Sequence, residues 1–401
     1  MKYFALILII IGFPSLCFAQ LTINETILHD DIQRDYILYI PANYTGTSSV
    51  PLVLNYHGYG SSANDQMWYG DFRSIADSAG FIIAHPQGTL FENVTHWNVG
   101  GWTIGSTVDD VGFSEAMIDS ISTEYNIDAN RIYSAGMSNG GFMSFLLACQ
   151  LSYRIAAIAS VTGSMTPETL SEANPLHPTP VMQFHGTADG VVPYSGASWT
   201  EPIEEIVDFW VDYNNCSTTP SVTEIPDISP LDGSTVEHYV YNSGDNGVAT
   251  EHFKIIDGAH TWPGSDFGGT GTNYDINASE EIWTFFSRYD INGLIDPTDT
   301  EDDYKTGIIN HELQNHPNPF NPSTTIQFTA DYAESIKVII YNIKGQQVRH
   351  YASDVNPELT EGSVIWNGTD ETGNPVSSGI YFYKLVINNI VENTKKMTMI
   401  K

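Results

Sequence analysis

The sequence predicts a doubly wound, mostly parallel α/β sheet followed by a small all-β sandwich. Three observations carry that reading. Between residues 36 and 289, short and nearly continuous apolar runs alternate with stretches of helical spacing, as in sheets whose strands are covered on both faces by crossover helices. Between 291 and 315 the periodicity breaks into an acidic segment. From 316 to 401 only short alternating runs remain, parted by Gly and Asn turns, the pattern of a small antiparallel sandwich.

At the N-terminus, Lys2 and the apolar run 3–13, closed by Ser15-Leu16-Cys17-Phe18-Ala19, have the basic start, short hydrophobic core and small final residue of a secretory signal peptide. Residues 1–19 are therefore expected to be removed on export. Pro14-Ser15-Leu16 is a poor match to the small residues that lipid modification of Cys17 would need. No other run is apolar and long enough for a membrane span, so the mature chain is expected to carry no transmembrane segment.

Residues 20–290 make the first domain. The runs 36–40 and 51–56 read as strands, the second ending in His57-Gly58-Tyr59-Gly60. Helical spacing over 65–79 stops at Gly80, 81–84 is a strand, and 110–125 is helical again. The run 131–135 is a strand that enters Gly136-Met137-Ser138-Asn139-Gly140-Gly141, and 142–149 is the helix that leaves it. Strands over 155–160 and 181–185, a helix over 203–213, strands over 236–241 and 253–256 and a last helix over 279–289 complete the domain. In the linker, 291–315, Asp296, Asp299, Glu301, Asp302 and Asp303 lack the fixed spacing and turn glycine of a calcium loop and read as a solvated charge run. The second domain, 316–401, has strands over 324–328, 337–341, 364–366, 380–387 and 397–400.

Composition narrows the partners. With 48 Asp+Glu against 15 Lys+Arg and a formal net charge of -33, nucleic acid and anionic membrane surfaces would be repelled. Neutral or weakly charged ligands remain, and the acidity keeps an exported protein soluble. Once the signal peptide is gone, Cys149 and Cys216 are the only cysteines left; in an oxidising compartment they either pair or stay as buried thiols.

The turn 136–141 has the G-x-S-x-G pattern, in which small residues flank a sharp strand-to-helix turn that lifts a serine hydroxyl clear of the sheet. Ser138 is the candidate nucleophile. It needs a base, and the base needs an orienting acid; in sheets of this kind both come from later strand ends, acid first. Asp189, in His185-Gly186-Thr187-Ala188-Asp189, and His260, in Asp257-Gly258-Ala259-His260-Thr261-Trp262, each sit just past a strand in that order. Asp257 is the rival acid, but a residue three positions away on one short loop rarely reaches the far ring nitrogen. His85 and His185 read as structural. Charge developing on a carbonyl oxygen needs preorganised N–H donors, assigned to the backbone of Asn139 and of Tyr59, with Gly58 as runner-up for the second. Trp97, Trp102 and Trp262 are candidates to line an aromatic acyl site, with buried packing the competing reading for each.

The segments His57-Gly58-Tyr59-Gly60, Asp110-Val111-Gly112-Phe113, Tyr125-Asn126-Ile127-Asp128, Gly136-Met137-Ser138-Asn139-Gly140-Gly141, His185-Gly186-Thr187-Ala188-Asp189 and His260-Thr261-Trp262-Pro263-Gly264 resemble those of the polyhydroxybutyrate depolymerase-like esterases, a family that takes in secreted feruloyl and acetyl xylan esterases. The resemblance implies an α/β-hydrolase fold, ester hydrolysis without metal or cofactor, and Ser138, Asp189 and His260 as triad. It points to esters on plant polysaccharide as substrate, with polyhydroxybutyrate or another polyester as alternative, and a non-catalytic polymer-binding protein as the rival of another class. In the second domain, the run from Leu313 to Ile326 with its His316-Pro317-Asn318-Pro319-Phe320-Asn321-Pro322, together with Tyr341-Asn342-Ile343-Lys344-Gly345, Ser378-Gly379-Ile380-Tyr381-Phe382-Tyr383 and Lys395-Lys396-Met397, resembles the sorting domain of the type IX secretion pathway. That implies the type IX machinery as partner and an extracellular or cell-surface location. A carbohydrate-binding module would instead expose an aromatic face, whereas Tyr381 and Tyr383 share one face of a strand and read as core beside Trp366.

Overall fold

The computed structural model describes residues 20–295, 313–329, 335–342, 347–354, 361–387 and 390–400. The expected signal peptide and Asp296, Asp299, Glu301, Asp302 and Asp303 of the linker lie outside the described residues. The chain divides into two compact units between residues 301 and 302.

The first unit is built on one ten-stranded sheet: β1 (Leu21–His29), β2 (Ile32–Ile40), β3 (Val50–Tyr56), β4 (Ile82–Pro86), β5 (Ile127–Met137), β6 (Ala157–Val161), β7 (Val181–Gly186), β8 (Ser221–Glu224), β9 (Thr235–Tyr241) and β10 (Thr250–Ile256). Their spatial order is β1-β2-β4-β3-β5-β6-β7-β10-β9-β8. The six central strands, β4 through β10 in that order, pair in parallel, and the pairs outside them are antiparallel. Strand β1 escapes sequence reading because only one of its faces is even half-buried. A hairpin through Asp30 and Asp31, both at positive φ, returns it onto β2.

Alternate residues of the central strands feed two cores. Leu52, Leu54 and Tyr56 of β3 join Phe113, Met117, Phe145 and Trp210 on one side, from helices α3 (Asp110–Glu124), α4 (Asn139–Gln150) and α6 (Ile203–Tyr213). Val53 joins Phe72, Ala76, Ile282 and Phe285 on the other, from α2 (Arg73–Ala79), the residue that precedes it, and α7 (Ala278–Phe286). Each fully buried side chain of this kind contributes about 1.5–3 kcal/mol. Helix α4 is buried on every side from Asn139 to Cys149, so it shows no polar face for a sequence pattern to find. A short α5 (Pro167–Ser171), capped by Thr166, also lacks a sequence counterpart.

The helix expected over 65–79 is two helices, α1 (Ala63–Tyr69) and α2. Tertiary contacts break it: Asn55 Nδ2 donates to Gly70 O at 2.9 Å, and a Cβ on Gly70 would lie 3.0 Å from the Trp262 ring. Asp71 then restarts the chain by accepting from the Arg73 amide. Cys149 and Cys216 are both buried and free; burial pushes the Cys149 thiol up to about 12.

In the second unit, three strands (Leu313–His316, Thr324–Thr329, Glu361–Trp366) and four strands (Ser335–Asn342, Gln347–Asp354, Gly379–Ile387, Ile390–Met399) form two antiparallel sheets. The first of these strands begins three residues before the boundary expected at 316, and Leu313 is already core. Ile336, Val338 and Ile340 point inward between half-buried Lys337 and Ile339 and meet Ile326, Trp366, Tyr381, Tyr383 and Leu385 in a single core. Trp366, Tyr381 and Tyr383 therefore build no exposed aromatic face.

Candidate active site

Strand β5 delivers Ser138 directly onto the first turn of α4. The serine sits at φ 53°, ψ −118°, a conformation that costs a non-glycine residue about 1–3 kcal/mol. Its neighbours enforce it. The Ser138 amide donates to Val161 O at 2.8 Å, a Cβ on Gly136 would lie 2.3 Å from Gly140 O, and one on Gly140 would lie 2.2 Å from Tyr56 O. Only glycine allows the helix to sit this close to β3 and β5.

Asp189 follows β7 and His260 follows β10. His260 Nδ1 donates to Asp189 Oδ2 at 2.7 Å, while Asp189 Oδ1 accepts from the amides of Val191 (2.8 Å) and Val192 (2.9 Å). Burial alone would raise the Asp189 carboxyl, but the hydrogen bond from His260, the nearby His260 and His185 rings and the Val191 amide outweigh it and hold the carboxyl below its ordinary value. The rival Asp257 is exposed, and its carboxylate makes no bond to His260. His185, buried, donates from Nε2 to Val192 O at 2.9 Å and lies 3.4 Å from Asp189 Oδ2. Desolvation lowers its imidazole to about 4, so it stays neutral and braces the acid loop.

Ser138 and His260 line one cavity of about 500 Å³. They make no direct hydrogen bond; such contacts commonly tighten only when substrate is bound. Tyr59 and Gly58 line the same cavity. The loop carrying them is tied on both sides: His57 Nδ1 donates to Gly58 O (2.8 Å), His57 Nε2 accepts from the Gly88 amide (2.9 Å) and the Gly60 amide donates to Thr95 O (2.8 Å). Among the described residues the Tyr59 amide has no acceptor. Asn139 is the first residue of α4, where an amide has no intrahelical partner and the helix dipole is positive. Its side chain clasps the backbone of Trp97, accepting from the Trp97 amide (2.7 Å) and donating to its carbonyl (3.1 Å).

The tryptophans correct the sequence reading. Trp97 is buried, its Nε1 donating to His57 O at 2.8 Å and its ring edge-on to Tyr56. Trp262 is buried against Phe72, with Nε1 donating to Ser279 Oγ. Neither lines the cavity, because each indole supports a site loop from behind. Trp102 is half-buried among Tyr59, Phe142 and Trp199, beside the Tyr59 loop but outside the lining. The aromatic lining instead comes from Tyr59, Trp68, Tyr69 and Phe267. The last three were missed; Asp65, Trp68 and Tyr69 at i, i+3 and i+4 share one face of α1, the one signal that could have found two of them.

A sheet of this strand order, with serine, aspartate and histidine following β5, β7 and β10, has the architecture of an α/β-hydrolase unit. Residues 105–215 match the family model described as Phospholipase/Carboxylesterase, and residues 315–401 match the Secretion system C-terminal sorting domain. The chain is similar to a bifunctional acetylxylan esterase/xylanase of Neocallimastix patriciarum, with 27% identity over 68% of this chain and 36% of that protein. Similarity to feruloyl esterase B of Piromyces equi is 34% over 41% of this chain and 30% of that protein. Feruloyl esterase D of Neurospora crassa is 26% identical over 64% of this chain and 82% of its own length. The chain thus spans about a third of the length of the first two relatives. No helix among the described residues is long and apolar enough to cross a membrane.

Proposed function

We propose that the first unit is a serine carboxylic-ester hydrolase acting on ester-bearing polymers, in the first instance the feruloyl or acetyl esters of plant polysaccharide. The observation that carries this reading is the 2.7 Å bond from His260 to buried Asp189 beside a cavity into which a strained serine opens. His260, oriented by Asp189, removes the proton from Ser138 Oγ as it attacks the ester carbonyl. The amides of Tyr59 and Asn139 receive the developing oxyanion, and His260 protonates the leaving alcohol. The same histidine then activates water, which attacks the acyl-enzyme and releases the acid. No step calls for a metal or cofactor.

In this reading residues 20–290 are the catalytic domain and 316–401 the address read by the type IX secretion machinery, so the enzyme works outside the cell or on its surface after the signal peptide 1–19 is removed. The match of 315–401 to a sorting domain supports this. A fluorophosphonate should label Ser138 in the folded protein; absence of the adduct would leave a polymer-binding scaffold. Methyl ferulate, acetylated xylan and a polyhydroxybutyrate film, assayed side by side, separate the substrate classes, and clearing of the film without release of ferulate or acetate would replace the polysaccharide reading with polyester depolymerisation.

A further inference from the structure

A second cavity lies apart from the one that holds Ser138 and His260 and shares no lining residue with it. It sits between α6 and the strands β9 and β10, toward the edge of the ten-stranded sheet. Tyr239 pairs with His252, Tyr241 with Thr250 and Glu237 with Lys254, so alternation along the strands brings both tyrosines, His252 and Lys254 to one face. Val222 of the edge strand β8 pairs with Tyr239 and is 51% exposed, so the same face runs out to open solvent. From α6, Glu204 and Asp208 lie one turn apart and line the opposite wall.

The polar groups here are fixed, yet they have bonding capacity left over. Gln183 O can only accept, so His252 donates to it from Nδ1 (3.1 Å), and its Nε2 accepts from Tyr194 Oη (2.9 Å). Burial lowers this imidazole to about 3, so it stays neutral, and the Tyr194 oxygen keeps its lone pairs for another donor. Lys254 Nζ donates to Glu204 Oε1 at 3.0 Å and stands 5.1 Å from the Tyr194 ring centroid, with two ammonium protons to spare. The Asp208 carboxylate and the Tyr241 hydroxyl have no hydrogen-bond partner among the described residues. Burial, then the charges of Asp212 and Glu204, raise the Asp208 carboxyl, and a donor to it would relieve that cost.

Size and charge select the occupant. A volume of about 180 Å³ is below the roughly 300 Å³ at which sites begin to enclose drug-sized ligands, and suits one six-membered ring. Glu204, Asp208 and Glu237, which accepts from Tyr239 Oη at 2.8 Å, repel an anion. Lys254 already holds the place over Tyr194 that an organic cation would take. A neutral ring with apolar C–H faces and a rim of hydroxyls answers both conditions. We propose that this cavity is a non-catalytic sugar subsite that binds one pyranose unit of a neutral polysaccharide, its C–H face on Tyr239 and Tyr241 and its hydroxyls on Asp208, Lys254 and Tyr194. The subsite tethers a polymer chain without touching Ser138, and it requires no ester.

Unesterified xylohexaose, which offers the serine no carbonyl, is the probe, titrated into residues 20–401 by calorimetry. Saturable binding is expected, weakened about 10-fold by Tyr241→Ala, which removes one ring contact, and several-fold by Asp208→Ala. Asp208 is exposed and makes no bond, so its variant keeps the fold, as thermal unfolding will check. Trp68→Ala, in the catalytic cavity, should leave the affinity unchanged. Binding that survives Tyr241→Ala and Asp208→Ala would place the sugar elsewhere and overturn the proposal, as would failure of xylohexaose, cellohexaose and mannohexaose alike to bind. Tighter binding of anionic hexagalacturonate or of choline would overturn the assignment to a neutral sugar. Failure of fluorophosphonate labelling, by contrast, strikes the hydrolase reading alone.

Discussion

The two units of this chain handle polar groups in opposite ways. Among the described residues of the sandwich, Thr324 is the one polar residue in the buried class, and its hydroxyl bonds to Pro317 O at 2.8 Å. Strand alternation, Gly and Asn turns and a core of Trp, Tyr, Ile and Met all agree there. The hydrolase unit buries His57, His85, His185, His252, Asp110, Asp189 and Arg34, and it forces Ser138 into a conformation its residue type disfavours. Local rules are broken where chemistry is proposed and kept where only a stable shape is needed. The exceptions persist because a large two-layered core supports them.

The largest expected effect tests whether the strained turn is chemical or structural. Ser138→Ala should lower turnover on the order of 10⁵-fold or more while changing stability by no more than about 0.5 kcal/mol, measured by ester hydrolysis and thermal unfolding of the same sample. A large loss of stability would make the turn structural and weaken the contrast between the units. In the sandwich, Trp366 is buried, donates from Nε1 to Thr369 O at 2.9 Å and packs on Tyr381 and Phe320. Trp366→Ala should therefore cost about 3–5 kcal/mol in the unfolding transition of that unit, with the rate of ester hydrolysis unchanged; a fall in hydrolysis would show that the units depend on each other.

Acid sharpens the comparison further. Desolvation lowers His57 and His185 to about 4 and His85 and His252 to about 3. Below the ordinary histidine value near 6.5 the unfolded chain takes up protons that the folded hydrolase unit refuses, so stability falls as pH drops from about 6.5 toward 4 and levels off once the folded rings also protonate. His57 alone should account for about 3 kcal/mol over that window. The sandwich, which buries no histidine among its described residues, should lose less stability between the same pH values. Denaturant unfolding at pH 7 and pH 4.5, followed by tryptophan and far-UV signals, separates the two. Equal loss in both units would mean that repulsion from net charge, rather than the buried imidazoles, sets the acid limit.

Much of the site was legible because each part occupies a marked place in the sequence: Ser138 between glycines after an apolar run, Asp189 and His260 just past two others. The indoles misled for a physical reason. Trp97 and Trp262 lie near site residues in sequence, but what a large side chain faces is set by packing, and both turn inward to brace the loops at His57 and α7. Trp68 went unread because its helix looked continuous with the next, and the break at Gly70 is made by Asn55 and Trp262, distant in sequence.

By itself the sequence determined the alternation of strands and helices, the sandwich that follows, the serine turn and the order of its partners, because periodicity and turn chemistry are local. Tertiary structure decided that Asp189 and not Asp257 holds His260, that the two cysteines stay apart as thiols, and that Tyr59, Trp68, Tyr69 and Phe267 furnish the aromatic wall. Those outcomes depend on distances between segments that only the folded sheet brings together, and a one-dimensional pattern carries no measure of such distances.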